Sequence, residues 1–126
     1  SRNRVVVVRP AVCDPLLLQK VVANMLSNAD KDSPQGEPVI VSAGPNGDTM
    51  EIVVRDFGPG IPPDLAEAVF EPFRRLGPTP TRGTGLGLHI ARRLTEGMNG
   101  RIWVDDDKQV GPAVHVTLPR IPGDDQ

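Results

Sequence analysis

The stretch Asp14-Pro15-Leu16-Leu17-Leu18-Gln19-Lys20-Val21-Val22-Ala23-Asn24-Met25-Leu26-Ser27-Asn28-Ala29-Asp30-Lys31 decides how the rest of this 126-residue chain is read. Asp14 is a good N-cap, Pro15 suits the first helical position, and Ser33-Pro34-Gln35-Gly36 stops the run, so the spacing predicts one helix. Leu18, Val21, Val22, Met25 and Ala29 recur at three- and four-residue intervals and form the stripe to be buried. A second stripe is polar. At about 100° of turn per residue, Asn24, Asn28 and Lys31 point within roughly 60° of one another. Two carboxamides and one ammonium along an edge suit a phosphate and its metal ion.

Working outward, Val5-Val6-Val7-Val8 between Arg4 and Arg9 predicts a strand, which Pro10 ends. Pro38–Ala43 and Thr49–Asp56 predict two more, joined by Gly44-Pro45-Asn46-Gly47-Asp48 with Asn46-Gly47 as the hairpin signal. The second of these runs into Asp56-Phe57-Gly58-Pro59-Gly60-Ile61, where Gly58 and Gly60 let the backbone come close to something else. Asp64 to Phe70 reads as a short helix with Leu65, Ala68 and Val69 inward. Gly77 to Gly83 has turn residues and no hydrophobic anchor, and is expected to be a mobile loop tip. Gly83-Thr84-Gly85-Leu86-Gly87-Leu88 leads into a helix running from Leu86 to about Met98, with Leu86, Ile90 and Leu94 on one face and Asn99-Gly100 closing it. Arg101–Asp105 and Ala113–Leu118 are the last two strands, around a turn-rich Asp106 to Pro112. Trp103 and the phenylalanines are expected in the core. Five strands and three helices result.

Composition narrows the function. At 13.5 kDa the chain is expected to be one domain, with its core at about 4–119 and an exposed tail at 120–126, burying roughly two-thirds of its unfolded surface. A net charge of −2 and 3% aromatic residues argue against nucleic acid as a partner. The single Cys13 excludes an internal disulfide. No apolar run approaches the roughly 20 residues that span a bilayer, so this domain is expected to make no direct membrane contact.

Three separated segments each supply one requirement of a nucleoside triphosphate site. Asn28 can give its side-chain oxygen to Mg²⁺, a hard cation that keeps waters and phosphate oxygens in its shell. Lys31 can neutralise phosphate charge. Gly83, Thr84, Gly85, Leu86 and Gly87 place backbone N–H groups and a helix N-terminus beside a polyphosphate. Asp56 can accept a hydrogen bond from the exocyclic amine of adenine, which guanine lacks at that ring position. The glycine run is not a dinucleotide fingerprint, because Leu88 fills the third-glycine place and a loop precedes it.

These residues resemble the catalytic ATP-binding domain of bacterial sensor histidine kinases, a branch of the GHKL (Bergerat-fold) ATPases, over about Arg4 to Pro119. Asn24 to Lys31 resembles the N box of that family, and Asp56 to Ile61 the first glycine box. Phe70-Glu71-Pro72-Phe73-Arg74-Arg75 is similar to the F box, and Gly83 to Leu88 to the second glycine box. The resemblance implies an α/β two-layer sandwich, a mixed five-stranded sheet covered on one face by about three helices, with ATP between the helices under a lid at Gly77 to Arg82. It implies ATP and Mg²⁺ as cofactors, a phosphoacceptor histidine on a dimerisation domain outside this chain, a response regulator downstream, and a cytoplasmic place within a membrane-anchored sensor.

The likeness also divides the superfamily. Where the related hydrolases and serine kinases carry a Glu as general base, this chain has Asn24, and a carboxamide accepts no proton at neutral pH. γ-Phosphoryl transfer to histidine is therefore favoured over hydrolysis, with charge stabilised by Mg²⁺, Lys31 and Arg75. Asp32 stands where the family commonly has an aromatic residue or His, and Pro112 where many members have Thr or Ser. A nucleotide-responsive interaction module without phosphotransfer, or an ATPase, are the alternatives. His89 is not the acceptor, because Ile90-Ala91-Arg92-Arg93 follows it rather than the family's acidic residue and proline.

Overall fold

A computed structural model of the chain describes residues 15–32, 37–58, 60–72, 86–107 and 111–119, with backbone alone at 31, 32 and 107. The organising helix is present as α1 (Pro15–Asp32). Its buried side chains are Val21, Val22, Met25 and Ala29, the stripe expected from spacing, with Leu18 half-buried at its start.

Strands β1 (Ile40–Asn46), β2 (Thr49–Arg55), β3 (Arg101–Asp107) and β4 (Gly111–Pro119) form a sheet in the order β1-β2-β4-β3. Every pairing among the described strands is antiparallel. The strand expected at Arg4 to Arg9, which would make the sheet five-stranded and mixed, lies outside the described residues. The β1–β2 hairpin turns one residue later than expected: Asn46 pairs with Thr49, so Gly47 and Asp48 are the loop. Gly47 at φ +62° supplies the positive dihedral that a tight hairpin needs at its first central position.

Period-two alternation puts one face of this sheet under the helices. Met50, Ile52 and Val54 of β2 and Val114, Val116 and Leu118 of β4 are buried there, with Ile102 of β3. All of these but Met50 form one core with Val21, Val22 and Met25 of α1, Leu88 and Ala91 of the second helix, and Met98 just past its end.

That second helix, α2 (Gly87–Gly97), starts at the second glycine box as expected. Its buried face is Leu88, Ala91 and Thr95, followed by Met98, rather than Leu86, Ile90 and Leu94; Ile90 is 38% exposed. The small side chains of Ala91 and Thr95 let α2 approach its neighbours closely, while the larger residues flank the contact. Asn99, at φ +63°, closes the helix in the left-handed conformation, and the Gly100 N–H donates to the Thr95 carbonyl at 2.9 Å.

Asp64 to Phe70 is not one α-helix but two 3-10 turns, Pro63–Leu65 and Ala68–Phe70. Burial of Phe70 in the core shared with α2 fixes the second turn. The Phe70 carbonyl lies 3.3 Å from His89 Nδ1, and the Arg92 guanidinium sits 5.1 Å above the Phe70 ring. His89 is thus a packing residue.

The other sheet face carries Trp103, which corrects its expected core placement. Its ring stacks on His115 at 5.1 Å, with the Arg101 guanidinium 4.9 Å above it. His115 Nε2 is 2.6 Å from Asp105 Oδ2, and its Nδ1 is 3.6 Å from Glu51.

Candidate nucleotide-binding site

Asp56 owes its position to strand parity. Met50, Ile52 and Val54 face the helices, and two residues further the same alternation delivers a carboxylate to the end of that face, 5% exposed. The Asp56 N–H donates to the Pro112 carbonyl at 3.1 Å, continuing the β2–β4 ladder by one step. The chain then turns, and the Gly58 N–H comes back to Asp56 Oδ1 at 2.7 Å. One oxygen is thus oriented by its own turn, and a carboxylate has lone pairs for further donors. Burial pushes the Asp56 carboxyl up from the ordinary range, the Gly58 N–H partly offsets this, and the nearby Asp106 carboxylate adds to the rise.

Gly60 and Gly111 stand beside this carboxylate for steric reasons. Gly60 has φ +90°, and a β-carbon there would run into the Asp106 carboxylate, 3.0 Å from its Cγ. Gly111 has φ +112°, and a β-carbon there would sit 2.6 Å from the Asp56 carbonyl oxygen. The Arg55 guanidinium donates to the Gly111 carbonyl at 2.6 Å, tying the two strand ends together.

On the helical side, Asn24 and Asn28 are half-buried on α1, one turn apart. Asn24 Nδ2 donates to the Lys20 carbonyl at 2.9 Å, which turns its amide nitrogen along the helix. Its side-chain oxygen and its backbone carbonyl both lie 3.7 Å from where a β-carbon on Gly87 would be. The N box and the second glycine box therefore meet at the N-terminus of α2, where Leu86 is the capping residue. The side chain of Lys31 and all of Gly83, Thr84, Gly85 and Arg75 lie outside the described residues.

The structure thus makes two local assemblies from the expected residues: Asn24 with Gly87, and Asp56 with Gly58. Both rest on the one core that α1, α2 and the sheet share. A separate open cleft of about 350 Å³ lies between the Phe70 turn and the outer side of α2 and contains none of the expected site residues. Arg92 crosses it to Glu67 at 2.9 Å and reaches Glu96 at 3.3 Å.

Asp106 is the residue that the sequence reading missed. Ending β3 at Asp105 put it in a turn, whereas Ile102, Val104 and Asp106 share one parity and Asp106 pairs with Pro112. Continuing that alternation by two residues would have found it.

Residues 13–122 match the family model for histidine kinase-, DNA gyrase B- and HSP90-like ATPases. The sensor protein KdpD of Rathayibacter rathayi is 43% identical over 113 residues, covering 89% of this chain and 13% of that protein. Among solved structures, a mycobacterial sensor histidine kinase, MprB, superposes with a TM-score of 0.72 at 38% identity, covering 84% of this chain and 72% of that one. Full-length ShkA in complex with AMPPNP superposes with a TM-score of 0.73 at 27% identity, covering 89% of this chain and 23% of that one. The chain belongs to the histidine kinase-like ATPase family, and within it to the catalytic domains of sensor histidine kinases. It spans a small part of the relatives' length. Among the described residues, no helix is long and apolar enough to cross a membrane.

Proposed function

We propose that this chain is the single catalytic domain that binds Mg-ATP and donates the γ-phosphoryl group to a histidine on a dimerisation domain outside it. The phosphoryl group then passes to a response regulator, and the domain works on the cytoplasmic side of a sensor. The observation that carries the reading is the buried Asp56 carboxylate, held by Gly58 at the end of the helix-covered face. A buried acceptor of fixed orientation selects the exocyclic amine of adenine, because a base without that donor leaves the carboxylate unpaired.

Asn28 fits a magnesium ion that takes most of its oxygen shell from phosphate and water, since it offers one neutral oxygen from α1. When bound, the ion neutralises charge on the β- and γ-phosphates. Gly87 opens α2 with no side chain, so backbone N–H groups at that helix start are accessible to phosphate oxygens. By the family resemblance, Lys31 and Arg75 would supply positive charge against the negative charge of the phosphates. Asn24, hydrogen-bonded to Lys20, orients beside Gly87 but takes no proton. The acceptor imidazole is itself the nucleophile, so the chain supplies position and electrostatics rather than a base.

ATP labelled at its γ-phosphorus, supplied with a phosphoacceptor domain in trans, tests this. Label on histidine supports the kinase. Binding without transfer across several acceptor domains points to an interaction module, and rapid phosphate release by the domain alone points to an ATPase.

A further inference from the structure

The end of the sheet that carries Asp56 carries a second carboxylate. Pro112 of β4 lies between them: its carbonyl accepts the Asp56 N–H on one side, and its register partner in β3 is Asp106 on the other. A proline separates the two carboxylates without offering an N–H to either. The Asp106 side chain reaches the glycine turn that follows Asp56, where a β-carbon on Gly60 would lie 3.3 Å from Oδ1 and 3.0 Å from Cγ. Its carboxylate is therefore seated directly on the Gly60 backbone, at a residue whose φ of +90° already departs from what other residues adopt.

Among the described residues of the sheet, Arg55 and Asp105, the charged neighbours of Asp56 and Asp106 in sequence, are engaged elsewhere. Arg55, of the opposite parity, donates to the Gly111 carbonyl, and Asp105 is paired with His115 on the far face. The start of β4 is Gly111, Pro112 and Ala113, with nothing titratable. Among the described residues, the charge that Asp56 feels across the sheet is that of Asp106.

We propose that Asp106 is a positioning residue of the adenine pocket: it braces the turn carrying Gly58 and Gly60, and its charge adds to the burial that weakens Asp56 as an ionised hydrogen-bond acceptor. This rests on Asp56 as the adenine acceptor. Two like charges at one end of a buried face disfavour ionising both. As pH falls, Asp56 takes up a proton earlier than it would alone, the acceptor is lost, and nucleotide affinity drops. Removing the Asp106 charge extends binding to lower pH.

Asp106→Asn keeps the side-chain shape and removes the charge; Asp106→Ala removes the brace as well. In the nucleotide-free 126-residue chain, the Asp56 carboxyl carbon is titrated by NMR, and its midpoint is expected to move to lower pH in Asp106→Asn. An unchanged midpoint overturns the electrostatic role. Amide hydrogen exchange at Gly58 and Gly60 is expected to accelerate in Asp106→Ala and much less in Asp106→Asn; equal protection in wild type and both variants overturns the brace. Should Asp106→Asn fail to fold, Asp106→Ser serves the same titration. Calorimetry with Mg-ADP across the same pH range should show affinity persisting to lower pH in the variant. Wild-type protein that binds no Mg-ADP at neutral pH sinks the nucleotide-site reading, while the carboxyl titration still decides whether Asp106 acts on Asp56.

Discussion

The side-chain oxygen of Asn24 lies 3.7 Å from the position a β-carbon on Gly87 would take, an ordinary contact distance. Gly87 is therefore not required by packing against α1, and its φ lies outside the left-handed region. Gly87→Ala is expected to leave thermal stability unchanged or raise it by about 0.4–1 kcal/mol, through loss of unfolded-chain freedom. If bare backbone there serves phosphate, the same variant binds ATP about tenfold more weakly, a cost of about 1.4 kcal/mol. Thermal unfolding and calorimetry on one sample separate the two roles, and unchanged affinity removes Gly87 from the site.

Asp56→Asn keeps an oxygen for the Gly58 N–H and removes a buried charge. Because the native carboxyl is raised above its unfolded value, the folded state binds more protons between the two values. Stability contributed by this group is then present at low pH and lost as pH rises through the native value. Asp56→Asn should accordingly melt higher than wild type at neutral pH, an advantage that shrinks as pH is lowered into the carboxylate range. Discrimination between adenine and guanine nucleotides should collapse in the same variant. A melting temperature below wild type at neutral pH would contradict the electrostatic account.

Gly111 is constrained in the way Gly87 is not. With φ +112° and the Asp56 carbonyl 2.6 Å from an added β-carbon, Gly111→Ala should cost about 1–3 kcal/mol. Gly44→Ala is its control, since nothing lies within 4 Å of an added methyl and its φ is not in the left-handed region. Urea midpoints of the two variants should differ clearly; equal midpoints would mean that the β4 start yields at no cost.

Met25 lies fully buried where α1 meets the shared core. Met25→Ala should destabilise by about 2–5 kcal/mol, as removal of a large core side chain generally does. Arg92→Ala, by contrast, breaks ion pairs to exposed Glu67 and Glu96 and should cost no more than about 1 kcal/mol. Chemical denaturation of both variants ranks the apolar core against the surface network, and a reversed ranking would refute it.

How much of this was legible in the chain depends on which force set each feature. The α1 stripe could be read because a long amphipathic helix leaves a periodic record of its burial. Its N-cap at Asp14 and the first strand at Arg4 to Arg9 lie outside the described residues. On α2 the large side chains Leu86, Ile90 and Leu94 mark one face by hydrophobicity, whereas burial falls on Leu88, Ala91 and Thr95, two of them small or polar and so silent in the pattern. Asp56 was found from its glycine turn, but Asp106 was not, because nothing local shows which residue will lie across a sheet from another. Trp103 is expected in the core from its residue type alone, and only strand register, which places it opposite His115, moves it to the far face. Sequence carried local periodicity well and cross-strand neighbourhoods poorly.

The placement of Trp103 has an optical consequence. As the only tryptophan, it is the chain's main fluorophore, and it reports from the side of the sheet that faces away from α1 and α2. Its emission is sensitive to the imidazole stacked on it and to the Arg101 guanidinium packed against its ring. A signal that stays flat when nucleotide is added would come from a rigid sheet, whereas a change on adding nucleotide would mean that strain crosses β4 from one face to the other.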